Sequence, residues 1–170
     1  MSQTLIGVNV SDVTFATATN TTPVAAGGKG FTVGARAALH NGKEYVFVQA
    51  NSAVAAFNIA ALDSETGVIT ALQTSTSAAS EELAVPQFAF ASGDYGWALV
   101  RGAGKVKVLG ACAKSVTLYS TTTAGSLDDA TASNYEVRGI QILSTNPSAT
   151  ATAMSAFISW PKVRILPGVL

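Results

Sequence analysis

Three groups of residues have the types and spacing to do chemistry. Gly102-Ala103-Gly104-Lys105 puts a lysine directly after a glycine-rich step, the arrangement that cradles a phosphate when backbone N–H groups converge on it. Cys112 is the one cysteine and His40 the one histidine, so a base-activated thiol nucleophile would have to be built from this pair. Asp128-Asp129 offers a carboxylate pair, or part of a calcium ligand set.

Each group falls short of what its chemistry needs. A phosphate loop requires Gly-x-x-x-x-Gly-Lys-Ser/Thr between a strand and a helix. Here Val106 follows Lys105, and Val106 and Val108 alternate with Lys107. That period of two is a strand, with no helix N-terminus to hold an anion. The expected element at 102–105 is a hairpin turn. His40 precedes the turn dipeptide Asn41-Gly42, where a histidine is solvated, and Cys112 lies among Ala and Gly, the setting of a small buried residue. The aspartates lack the alternating ligands and final glutamate of a calcium loop, so turn capping is the expected role. Glu81-Glu82 reads as a solvated turn. No catalytic residue, cofactor site or metal site is expected, and no enzyme activity.

The elements that would position these residues are strands. Asn41-Gly42 is the preferred dipeptide of a two-residue type I′ hairpin turn, flanked by strands over 31–39 and 45–49. Residues 51–63 fit either a short helix or a strand. Thr66-Gly67 opens a strand, and 84–102 reads as two strands joined at Ser92-Gly93-Asp94. Further strands are expected over 116–119 and 137–143, with a turn at Ala124-Gly125 between them. A strand near the C-terminus closes the domain. Pro161 cannot donate to a ladder, so Trp160-Pro161 is expected at an edge or strand end. Residues 1–30 read as an extended arm with one strand, and 31–170 as one domain. Many short strands without amphipathic helices give an all-β fold, a small sandwich or barrel.

Composition limits the partners. Charged residues are 12% of the 170, with ten Lys plus Arg against ten Asp plus Glu. Ordinary soluble domains carry roughly 25%. A surface of Ser, Thr, Ala and Gly is expected, one suited to protein contact. Zero net charge argues against nucleic acid, although Arg101, Lys105, Lys107 and Lys114 cluster. No apolar run is long enough to span a membrane. The first residues lack a signal-peptide pattern, so synthesis in a cytoplasm is expected. Trp97 and Trp160 could be interface aromatics or core residues.

The order "ASGDYGWALVRGAGKVKVLGACAKSVTLYSTTTAGSLDD" followed by "VRGIQIL" resembles phage head decoration, or capsid cement, proteins. "NGKEYVFVQA" and "FNIAALD" are similar to segments of phage virion structural proteins. The resemblance implies an antiparallel, β-tulip-like barrel or sandwich on the outer capsid surface. It implies a homotrimer that clamps neighbouring major capsid protein subunits, and no cofactor. An arm carrying Leu5, Ile6, Val8 and Val10 could then add a strand to a capsid subunit's sheet edge. The alternatives are another virion component (tail, baseplate or fibre) and a small-ligand-binding β-barrel.

Overall fold

The computed structural model describes residues 13–14, 31–39, 41–73, 82–130 and 135–165. The expected arm residues Leu5, Ile6, Val8 and Val10 lie outside them, as does His40. Eleven strands and no helix make up the described chain: β1 (Val13–Thr14), β2 (Arg36–Ala38), β3 (Glu44–Ala50), β4 (Ala60–Leu62), β5 (Val68–Ala71), β6 (Glu82–Pro86), β7 (Tyr95–Val108), β8 (Leu118–Ser120), β9 (Leu127–Asp128), β10 (Tyr135–Ile142) and β11 (Thr152–Ile165). Most pairings are antiparallel, but β3–β5 and β7–β9 are parallel, so the sheet is mixed rather than purely antiparallel. β1 pairs within its own chain, Val13 opposite Gly96 and Thr14 opposite Tyr95. Residues 51–63 resolve into a bridge from Val54 to Phe90, a turn and β4.

β7 organises the molecule. Its first half pairs with β3 and β6, and β3–β5–β4–β6 complete a ring of strands. Its second half pairs with β11 and meets β9, and β9–β8–β10–β11 complete a second ring. Most strands of the first ring (β3, β4, β6 and the first half of β7) are buried on both faces. Alternation in β3 sends Val46 and Val48 into a smaller core with Ala60, Leu62, Ala84 and Val100. It sends Tyr45 and Phe47 the other way, into a larger core shared with Leu118, Ile140 and Ile158 of the second ring. Phe31, Phe47 and Trp97 meet there, with ring centroids 5.1–5.5 Å apart. Tilted and edge contacts of this kind add about 0.5–1.5 kcal/mol per pair beyond burial.

Three local expectations are corrected. The Gly102–Lys105 segment is not a hairpin turn: β7 runs straight through it, with Arg101 to Val108 in unbroken register against Ser159 to Thr152. Its glycines serve close approach. A Cβ at Gly104 would lie 2.5 Å from Leu99 Cδ2. The neighbouring Gln87 amide bonds the Lys105 backbone at both N (3.0 Å) and O (3.1 Å), like one extra strand rung. The Asn41-Gly42 turn has three loop residues, not two, because the Leu39 N–H donates to Lys43 O and the Gly42 N–H to Leu39 O. Pro161 does not end β11. Arg138 pairs with Lys162 and Ile140 with Ile158, so Gly139 alone faces Ser159, Trp160 and Pro161 in a bulge. Proline is tolerated there because the ladder is already broken.

Candidate functional site

The chemistry-bearing residues are brought together only in part. Cys112 is fully buried after β7, and the loop that carries it meets the end of β9. Its sulfur and carboxylate oxygens of Asp128 and Asp129 lie within 4.8 Å of one another. Asp128 accepts backbone hydrogen bonds from Asp129 and Ala130, the expected turn capping. Asp129 differs: its Oδ2 accepts the Ala113 N–H at 3.0 Å, so this carboxylate ties two loops together, which corrects the expected role for that residue. Burial, then the two carboxylates, push the Cys112 thiol up to about 11. Burial is also the first cause of the raised pKa of Asp128. Nucleophilic attack needs a thiolate, and this environment opposes one.

Lys105 and Lys107 sit on one face of β7 and Val106 and Val108 on the other, as their spacing predicts. Lys105 Nζ lies 5.7 Å from the Phe57 ring centre. The backbone around Lys105 is strand, so it offers no convergent N–H groups to a phosphate.

The two tryptophans separate. Trp97 is 3% exposed and packs on Phe31 and Phe47. It is a core residue, and its reading as an interface aromatic is corrected, because its ring packs into the larger core against Phe31 and Phe47. Trp160 is 38% exposed at the bulge, with a positive φ of 48°. The Arg36 guanidinium lies 4.8 Å from its ring centre and bonds Glu82 at 2.9 Å. Trp160, Pro161, Leu83, Val100, Glu82 and Lys162 line a shallow notch whose cavity volume is about 10 Å³. That is about the room one water needs, far below the roughly 300–1,000 Å³ of a small-molecule site.

Sequence reasoning missed Asn146. It is 1% exposed, and its Nδ2 donates to Leu109 O at 2.8 Å and Thr150 O at 3.1 Å, while Oδ1 accepts the Ser148 N–H at 3.0 Å. Its own N–H reaches Cys112 O at 2.9 Å. This side chain fixes the loops at one end of the second ring. Asn146-Pro147 reads as a plain loop in sequence, and only the partners reveal its role.

No helix among the described residues is long and apolar enough to cross a membrane. No protein-family model matches the chain, and no curated protein or solved structure matches it either.

Proposed function

We propose that this chain is a virion structural protein of the head-decoration kind. It binds the outer surface of a phage capsid and stabilises the shell by clamping neighbouring major capsid protein subunits. The observation that carries the reading is the continuity of the segment with the resemblance. Residues 91–143 supply β7, β8, β9 and β10, four of the five strands of the second ring, and β11 closes it. Segments similar in order to decoration proteins thus form one unit, which supports a β-tulip-like module. The exposed apolar residues Phe88, Leu143, Phe157 and Trp160 fit a protein that works by surface contact. A homotrimer on the shell, with residues 1–10 adding a strand to a capsid subunit, completes the proposal.

The test is quantitative mass spectrometry of purified virions, scaled to the major capsid protein. A ratio near one, or a simple fraction of it, supports decoration. A ratio of a few per cent moves the chain to the tail or portal region, and its absence from particles removes the virion reading. Deleting residues 1–10, which leaves β1 in place, is expected to abolish particle binding without unfolding the rings. Unchanged binding would refute the arm's role.

A further inference from the structure

Charge is unevenly distributed on this neutral chain. Strands β7, β10 and β11 carry Arg101, Lys105, Lys107, Arg138, Lys162 and Arg164, six of the ten basic residues, and one acid, Glu136. Register places them on one side of the sheet. Along β7, residues 101, 103 and 105 are exposed while 106 and 108 are buried; along β11, residues 155, 157, 159, 162 and 164 are exposed while 156, 158, 161 and 163 are buried. Ser159 lies opposite Arg101, Ser155 opposite Lys105, and Lys162 opposite Arg138. Among the described residues, two carboxylates bond these cations: Glu44 to Arg101 at 2.6 Å, and Glu136 to Arg138 and Arg164 at 3.0 and 3.5 Å. Among those residues, six cations against two carboxylates leave an excess of four on this face. Glu82, beside Lys162, is taken by Arg36.

The centre of the same face is apolar and polar-neutral. Phe157, 47% exposed, stands on the middle strand between Gln141 and Ala103. Leu143, 51% exposed, bonds Ser155 through its N–H, which makes it the diagonal neighbour of Phe157. An aromatic anchor with small polar neighbours and a charged rim is the anatomy of a protein–protein contact. Nucleic acid fits less well. Single-strand binding uses successive aromatic platforms, and this face has one aromatic at its centre.

We propose that the outer face of β10–β11–β7 docks an acidic protein surface, with Phe157 and Leu143 entering an apolar depression and the cations meeting the partner's carboxylates. Resting on the reading given above, that surface belongs to the capsid subunit.

Two binding measurements test this. The first is co-sedimentation of the full chain with virions stripped of it, using wild type, Phe157→Ser and Arg138→Glu/Lys162→Glu. All these side chains are exposed, and circular dichroism checks that the variants fold. Phe157→Ser is expected to weaken binding roughly 30-fold, the scale of an interface hot spot. The double reversal is expected to weaken binding about tenfold and to flatten its salt dependence. Wild type and variants binding alike would overturn the docking face and leave the decoration reading standing. If wild type fails to bind particles, the decoration reading falls. The face is then judged by the second measurement, amide chemical shifts of the chain titrated with poly-L-glutamate and with dT20. Shifts confined to the three strands and stronger with polyglutamate support an acidic protein partner. No shifts there, or stronger ones with dT20, overturn it.

Discussion

The bulge at Gly139 allows the geometry to be tested by three alanine substitutions that separate two costs. Gly42 has φ +76° and open space where a Cβ would go, so Gly42→Ala carries only the left-handed backbone penalty, about 1 kcal/mol. Gly110 has no such φ, but a Cβ there would lie 2.3 Å from Ala149 O, so Gly110→Ala carries only the clash, about 1–3 kcal/mol. Gly139 combines both: φ is +80°, and a Cβ would lie 2.4 Å from Ser159 O and 3.0 Å from Pro161 Cα. These are backbone atoms of a strand held on its other side by β7, so they cannot swing away as a side-chain tip would. Gly139→Ala is therefore expected to cost about 2–4 kcal/mol, the sum of the other two. The assay is equilibrium urea unfolding with the midpoint and slope fitted separately. If Gly139→Ala costs no more than Gly42→Ala at unchanged slope, the close approach of Gly139 to 159–161 is wrong. Proline would then need another explanation within β11.

The remaining predictions concern buried polar groups. Cys112 should resist a thiol reagent in the folded chain and react once urea unfolds it; fast reaction in buffer would contradict its burial. Its folded-state value, about 11, lies above the ordinary 9.0, so the unfolded chain releases the proton first. Stability is then full below pH 9 and falls between about pH 9 and 11, and the difference between wild type and Cys112→Ala across that range isolates the thiol. Asn146→Asp replaces two donated hydrogen bonds with a carboxylate facing Leu109 O and Thr150 O, and should cost about 3 kcal/mol in urea unfolding. Asp128→Asn should stabilise the chain at neutral pH. The raised pKa of Asp128 means that its folded form favours the proton, so wild-type stability falls relative to the variant as pH rises above 3.8; equal pH profiles would count against that environment.

The sequence made the strands legible wherever side-chain alternation or a turn dipeptide marked them. Val46 and Val48 alternate with Tyr45 and Phe47, and Thr66-Gly67 does open β5. It misled at Gly102 and Gly104 because glycine signals both turns and close packing, and only Leu99 and Gln87 reveal which applies. Pro161 misled for a related reason: a proline bars a regular ladder, but the three-for-one bulge opposite Gly139 is not regular. The exposure of Trp160 and the burial of Trp97 depend on which strands flank them, a long-range property that neither residue's neighbours in sequence carry. The cationic face has the same origin, since six residues scattered over about sixty positions meet only through strand register.

That register also changes what the low charge content means. Read as composition, 12% charged residues suggest an exterior covered by protein. The fold gives part of this deficit an internal cause. β3, β4, β6 and the first half of β7 are buried on nearly every position, so residues that would alternate polar and apolar in a one-sided sheet are apolar on both faces. Composition alone therefore does not argue for a covered surface. The stronger argument is where the remaining charge lies. A chain with few charges and no net charge would scatter them if they served only solubility. Here the cations gather on one face around an exposed phenylalanine, and that face is where a partner should first be sought.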